Sequence, residues 1–260
     1  MKNLIKKIFV PVVIFLSQLG IDILKIKYLK NYPRFIKGKK EWISQGGKID
    51  KNAMYLSDFD DQSGIAKGDY FHQDLLVANF IYKNNPKRHV DVGSRIDGFV
   101  AHVASFRSIE VLDIRKLESS EHKNIKFIQS DLMSPKNLGE VDSLSCLHVI
   151  EHFGLGRYGD KIDIDGHNKG ITNLVNLLSK GGYFYISFPI GEKDKVYFNA
   201  NRVFDVNTIF NHSSIKKNMQ LIRFDFIDQD GNLNLNKKIQ EFSIKTNKNH
   251  CCGIYTFKKK

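Results

Sequence analysis

Residues 89–98, HVDVGSRIDG, decide the fold. An apolar-flanked run carries the acid Asp91, turns at Gly93, and passes through Ser94 and Arg95 to a second glycine, Gly98. An apolar helical pattern, FVAHVASF (99–106), follows directly. A strand, a glycine turn and a helix start form an anchor for a nucleotide. Glycine lets the backbone approach a ligand, and the first turn of a helix offers N–H groups without intrahelical partners. About twenty residues on, IEVLDIR (109–115) ends a second apolar run at Asp113, followed by Ile114 and Arg115. A third run, IKFIQSDL (125–132), brings Asp131 and Leu132 to a similar position. Asp113 is placed to accept hydrogen bonds from ribose hydroxyls and Asp131 to border an adenine. Three strand-like runs with acids at or just past their C-terminal ends outline a cofactor crevice.

The rest of the chain fits the same plan. Strands are expected near 88–92, 108–113, 125–128, 141–147, 183–188, 221–228 and 252–257, with helical patterns at 70–82, 98–106 and 168–179. Alternating strands and helices imply a parallel sheet. The last two strands lack a long apolar helix between them, which permits an antiparallel terminal strand. At 260 residues and 42% hydrophobic content, one α/β domain (69–260) plus an N-terminal extension (1–68) accounts for the length.

In order along the chain, DVG, LD, SDL, VDSLSCLHVIEH (141–152) and LLSKGGYFYISFP (177–189) resemble the Rossmann-like methyltransferases that use S-adenosylmethionine (SAM). More narrowly, GDYFHQDLLVA (68–78), HVDVGSRIDGFVAH (89–102), GDKIDIDGH (159–167) and FNANRVF (198–204) resemble an uncharacterised bacterial family associated with surface-polysaccharide genes. The resemblance spans roughly 69–210. It implies a three-layer fold with a mostly parallel seven-stranded sheet, SAM as cofactor, and a sugar or glycan hydroxyl as acceptor. It also implies a cytoplasmic place of work, at the inner face of a membrane if the N-terminal segment binds there. The chain departs from the family's Gly-x-Gly-x-Gly loop, having Gly93, Arg95 and Asp97 instead. The cofactor contacts expected are Asp91, Gly93, Ser94, Arg95, Gly98, Asp113, Ile114, Arg115, Asp131, Leu132 and His148.

Chemistry is expected after the fourth strand. His148, Glu151 and His152 follow it at the carboxyl edge, where such sheets bind ligands. On a helix His148 and His152 would share a face. Methyl transfer to oxygen requires the acceptor hydroxyl to lose its proton as it attacks, which suits an imidazole. His152 is the expected base and His167 the second candidate, each weighed against a structural role. Tyr70, His72 and Gln73 precede the first strand and are expected over the acceptor. Arg202 with Asn199 and Asn201, after the fifth strand, is suited to a hydroxyl-rich or anionic group, unless that segment is an ordinary helix N-terminus.

Other motifs fail in context. GLGRYG (154–159) matches the dinucleotide glycine pattern, but polar DKIDIDGHN follows instead of an apolar helix, so a loop over the site is expected. Gly93 and Gly98 have Walker spacing, yet Phe99 and Val100 stand where Lys and Ser/Thr belong. Asp160, Asp163, Asp165 and His167 could ligate a divalent ion, but Lys161 and Thr172 fall at the first and twelfth EF-hand positions; a polar loop capping a helix is the plainer reading, and no metal is assigned.

The net charge of +12 invites a nucleic-acid reading, but lysine greatly outnumbers arginine and no basic–aromatic or zinc-finger module is present. Three cysteines, with Cys251 and Cys252 adjacent, make no disulfide framework. Residues 8–24, IFVPVVIFLSQLGIDIL, are apolar between flanking lysines and slightly short for a span. They read as an interfacial helix on an anionic membrane, against a core-docked helix or a true span or signal. Two rival functions stand beside the transferase. An NAD-dependent sugar oxidoreductase would need a Tyr-x-x-x-Lys that residues 147–200 lack. A non-catalytic scaffold would fail to bind SAM.

Overall fold

The structure, a computed structural model, describes residues 12–13, 15–118, 121–134, 138–244 and 250–260. Part of the apolar segment 8–24 lies outside them. Two compact units are present, Met1–Ile65 and Ala66–Lys260. In the first, a 3-10 stretch (Ile23–Asn31) runs into helix α1 (Tyr32–Ser44), which buries no residue. Asn31 ties this helix start to the following loop, donating from Nδ2 to Leu56 O and to Asp60 Oδ2 at 2.9 and 2.8 Å. Among the described residues no helix is long and apolar enough to cross a membrane.

The second unit is built on one sheet. Helix α2 (Asp69–Asn84) leads into β1 (His89–Val92), and β2 (Ile109–Asp113), β3 (Ile125–Gln129), β4 (Val141–Leu147) and β5 (Leu178–Gly191) follow. A hairpin, β6 (Lys195–Tyr197) and β7 (Asn201–Asp205), precedes β8 (Met219–Ile227), β9 (Leu233–Asn234) and β10 (Cys251–Lys259). The order is β3-β2-β1-β4-β5-β10-β8-β9, with β7 beside β5 and β6 beside β7. Pairing is parallel from β3 through β5, whereas β10 runs antiparallel to both β5 and β8. All seven expected strands are there, with the last one reversed between β5 and β8. The sheet is larger than expected by the short strands β6, β7 and β9, which carry too little apolar sequence to announce themselves.

The strands are readable because they are covered on both faces. Val90 and Val92 join the core that packs Ile171, Leu174 and Val175 of helix α4 (Gly166–Leu177). Alternate residues such as Val111, Tyr185 and Ile254 join a second core with Val77 and Ile81 of α2. Strands buried on both sides become continuous apolar runs, as in any three-layer α/β domain. Between α2 and β2 the expected helix is short, a π-helical turn (Ile96–Val100) continued by α3 (Ala101–Ala104). Helix α4 ends at Leu177, and two short helices, α5 (Thr208–Asn211) and α6 (Ser213–Asn218), lead into β8.

One buried polar ladder interrupts the apolar interior. His89 and Asp91 project from β1 on the face opposite Val90 and Val92, at 1% and 0% exposure. Ser143 Oγ lies 2.8 Å from His89 Nδ1, and His89 Nε2 is 3.2 Å from Ser145 Oγ. Ser145 Oγ in turn donates to Asp91 Oδ1 at 2.5 Å. Since Ser145 uses its proton on Asp91, His89 Nε2 must donate to Ser145 and Nδ1 accept from Ser143. Burial lowers the His89 pKa to about 3, keeping the ring neutral.

Candidate active site

Asp91 sits beneath the loop rather than in the cleft. Its carboxylate accepts from Ser94 N and Ser94 Oγ at 3.1 and 2.9 Å, which fixes the turn at Gly93. Burial raises its pKa to about 7 against these hydrogen bonds. It was expected among the cofactor contacts, and the structure gives it this supporting place instead. Gly93 is required twice over. Its φ of +67° is left-handed, and a Cβ there would stand 2.7 Å from Val149 Cγ1. Gly98 lies inside the π-helical turn, where a Cβ would come 3.1 Å from Asp74 Oδ2; it packs the loop and does not line the cleft.

The cleft at the carboxyl edge has two compartments. The first is lined by Gly93, Asp113, Ile114, Arg115, Asp131 and Leu132, with Met133 and Phe153 adding apolar wall. The second, about 530 Å³, is lined by Tyr70, Gln73, Ser94, Arg95 and Glu151, among others. Gly93, Arg115, His148, His152 and Tyr158 border both, so the compartments meet there. The acids at the strand ends differ in their present partners. Asp131 Oδ1 accepts from Met133 N at 2.9 Å. Asp113 takes Arg115 in a fork, Oδ1–Nε at 3.0 Å and Oδ2–Nη2 at 2.6 Å. Arg115 also lies 4.6 Å over the Tyr158 ring.

His148 and His152 do not share a helix. His148 adopts φ +55°, a costly conformation for a non-glycine residue, and its N–H donates to Ser187 O at 3.0 Å. A 3-10 turn (Ile150–His152) follows, so the two imidazoles flank Glu151. Glu151 Oε1 lies 3.0 Å from His148 Nδ1 and 3.8 Å from His152 Nε2. On its other side His148 Nε2 is 3.2 Å from Cys252 Sγ. Burial opposes a charge on His148, yet contact with Cys252 and Glu151 raises its pKa well above the ordinary value. The Cys252 thiol is itself pushed up by burial, and two carboxylates lie beside the imidazole, Glu151 at Nδ1 and Asp69, whose Oδ2 is 3.9 Å from Nε2.

His152 is different. Its Nδ1 is 2.7 Å from Ala200 O, and a carbonyl only accepts, so Nδ1 carries the proton and Nε2 holds the lone pair. Burial lowers its pKa, with Arg157 and His148 adding to the effect against Glu151 and Ala200. The ring is therefore neutral at pH 7, with its basic nitrogen near the junction of the compartments.

Several expected contacts fall elsewhere. His167 packs its ring 5.7 Å from Phe204 in a separate recess, and burial lowers its pKa to about 4. It does not reach the cleft. Arg202 is 6% exposed and donates from Nη1 to Phe153 O at 2.6 Å and Glu151 O at 3.4 Å. It clamps the turn that carries His152, in place of the anion contact expected of it, because β7 directs it inward. Of the two asparagines expected there, Asn201 lines the compartment and Asn199 does not, and FNANRVF is a strand hairpin rather than a helix start. His72 edges onto Phe71 at 5.2 Å and does not line the cleft, whereas Tyr70 tilts against His148 at 5.3 Å.

Residues 154–159 do form a loop over the site, and within it Tyr158 and Arg157, which the glycine pattern did not single out, line the cleft. Asp160 organises that loop, accepting from Gly154 N, Gly156 N and Tyr158 N. An acid four to six residues after such glycines is the signal that would have found it. Asp163 pairs with Lys169 and accepts from Asp165 N, so the polar run ties itself to α4.

Comparison with known proteins places the fold. Residues 100–255, more than half the chain, match a family described as "Caenorhabditis protein of unknown function, DUF268". No protein of curated function matches the sequence. Among solved structures, the chain is similar to the N-methyltransferase NodS from Bradyrhizobium japonicum WM9 bound to S-adenosyl-L-homocysteine, at 12% identity and TM-score 0.50, over 74% of this chain and 88% of that one. A Burkholderia thailandensis 1,6-didemethyltoxoflavin-N1-methyltransferase aligns at 12% identity and TM-score 0.51, over 72% and 78% of the two chains. The [4+2]-cyclase SpnF aligns at 10% identity and TM-score 0.53, over 76% and 85%. The fold is thus that of the Rossmann-like methyltransferases.

Proposed function

The chain belongs to the DUF268 family, and from its cleft we propose that it is a SAM-dependent methyltransferase acting on a sugar hydroxyl in surface-glycan assembly. The observation that carries this reading is the meeting of the two compartments at His152, whose Nδ1 is committed to Ala200 O. The first compartment suits SAM. Asp113 stands at the end of β2 for ribose hydroxyls, Asp131 and Leu132 border an adenine, and Gly93 leaves backbone room for the methionine end. The solved structures of similar fold support it too, since two of them hold S-adenosylhomocysteine. SAM supplies an electrophilic methyl group on a sulfonium. This chain's residues do the rest: Asp91 holds the loop, His148 packs the junction, and His152 Nε2 takes the acceptor proton. The second compartment, bordered by Gln73, Asn201 and Tyr70, suits a polar small molecule.

His152→Ala should keep S-adenosylhomocysteine binding by calorimetry and lose methyl transfer from labelled SAM into a nucleotide-sugar pool by about 10²–10⁴. Because the His152 pKa is lowered, the wild-type rate should rise with pH along a limb below 6.5 and be flat near 7. Unaltered turnover in the variant would remove His152 from the chemistry. The same proposal includes peripheral attachment to an anionic membrane through residues 8–24, supported by lysines on both sides and by exposed Phe15 and Leu19.

A further inference from the structure

The second compartment presents hydrogen-bond acceptors on its floor and, at its edge, a cation with no carboxylate partner among the described residues. Glu151 is 1% exposed, and while Oε1 faces His148, Oε2 has no partner among the described residues. A buried carboxylate oxygen left without a donor is expensive, so the site calls for one. His152 Nε2, 3.8 Å from Oε1, is a second acceptor on the same side. Asp74, 7% exposed, adds a third, with one oxygen taking the Gln73 amide. A molecule bound against these groups must donate.

The cations are not equivalent. Arg95 and Arg115 are each matched to an acid, Asp97 and Asp113, at 2.7 and 2.6 Å. Arg157 donates to Ala200 O at 3.0 Å and lies 5.2 Å over the Tyr158 ring. Among the described residues no carboxylate is within ion-pair distance of it. Its guanidinium keeps donors that an anion can take.

We propose that the acceptor is an anionic sugar, whose hydroxyls donate to Glu151 and His152 and whose negative group is held by Arg157. This rests on the methyltransferase reading and narrows its substrate class. The anion has three sources with the same chemistry: a sugar 1-phosphate, a nucleotide-linked sugar, or a hexuronate. Arg157 takes the place in recognition that the sequence had suggested for Arg202.

The test is calorimetry on the full chain saturated with S-adenosylhomocysteine. The probes are hexose 1-phosphates of the gluco, galacto and manno series, their nucleotide-diphosphate forms, the hexuronates, and the neutral methyl hexosides. At least one anionic class should bind roughly ten- to a hundredfold more tightly than its neutral counterpart. Arg157→Ala should erase that preference while leaving the weak neutral binding in place. Glu151→Gln should weaken all sugars by a similar factor. Arg157 is on the surface, so its variant decides the matter even if the buried Glu151 substitution unfolds the protein. Equal binding of neutral and anionic sugars, no sugar binding by a protein that does bind S-adenosylhomocysteine, or an anionic preference that survives Arg157→Ala each overturns the proposal. A protein that does not bind S-adenosylhomocysteine refutes the methyltransferase reading itself, and this inference with it.

Discussion

Asp113→Ala tests the cofactor placement most directly, because the structure supplies both what is lost and what competes. In the free protein the Asp113 carboxylate, with its side chain 12% exposed, is forked by Arg115, which is 51% exposed. An ion pair that open contributes about 0–1 kcal/mol, so exchanging it for a ligand costs about that much. Two hydrogen bonds from ribose hydroxyls to a carboxylate are worth roughly 1.5–3 kcal/mol each. The difference is about 2–6 kcal/mol, or roughly 30- to 20,000-fold in affinity. Calorimetric titration of S-adenosylhomocysteine into wild type and Asp113→Ala reads this factor, with circular dichroism confirming the fold. Arg115→Gln keeps the carboxylate and removes its competitor, so affinity should hold or improve. An Asp113→Ala protein that binds with wild-type affinity would refute the ribose contact. Weakening by Arg115→Gln as large as by Asp113→Ala would mean the pair acts as a structural unit instead.

Other perturbations follow from the buried groups. Asp91 has a folded-state pKa raised to about 7, so the folded protein binds its proton more tightly than the unfolded chain; its contribution is present at low pH and lost as pH rises from 4 through 7. His89, lowered to about 3, acts in the same range with the opposite sign: stability falls as pH drops below 6.5, where only the unfolded chain takes up the proton. The two slopes oppose each other between pH 4 and 6.5. In chemical denaturation followed by fluorescence, Asp91→Asn should therefore make stability rise more steeply with pH across that window, and His89→Gln should make it fall. Identical profiles in all three proteins would refute the ladder. Arg202→Met should cost about 1–3 kcal/mol, since two buried carbonyls lose their donor, and lower the melting temperature by roughly 2–10 °C. An unchanged melt would show that the turn holds without it. Removing residues 1–27 should release the protein from anionic vesicles in a flotation assay and leave S-adenosylhomocysteine affinity unchanged. Retained flotation would refute the membrane contact, and loss of a cooperative melt would assign the segment to the core.

What could be read from the sequence, and what could not, divides along the range of the interactions. Strands β1, β2, β4 and β5 are covered by helices on both faces, so their apolar runs are nearly continuous and stand out. The acids Asp113 and Asp131 were legible because a strand end is a local event, fixed by where the apolar run stops. The hairpin β6–β7 was not. It is polar and short, and β7 joins the main sheet at only two positions, Ile190–Phe204 and Gly191–Asp205. With so little apolar demand, FNANRVF reads equally well as a helix start. His167, the second candidate base, failed for a related reason: DKIDIDGH is polar and close in sequence to the turn after β4, which does not say where its imidazole points. In the fold its acids satisfy neighbouring backbone N–H groups and Lys169, and the imidazole turns to Phe204.

The junction of the cleft is assembled from positions far apart in the chain, and that is why its roles were the least legible. His148 meets Cys252 across 104 residues, Ser187 meets Gln73 across 114, and His152 meets Ala200 across 48. None of these pairs leaves a periodic or spacing signal, since they arise only when β10 inserts beside β5, α2 packs against β5, and the hairpin folds back over the turn after β4. The histidines themselves could be named from HVIEH, but their protonation could not. His148 and His152 are four residues apart and differ because one touches the Glu151 carboxylate and the Cys252 sulfur, while the other donates to a carbonyl beside Arg157. An imidazole whose pKa is raised and one whose pKa is lowered, set on either side of the buried Glu151 carboxylate, give the two histidines different tasks. That division of labour comes from tertiary contacts alone, so a substitution at Glu151 should disturb both histidines together, whereas one at Ala200 that moves its carbonyl should disturb only His152.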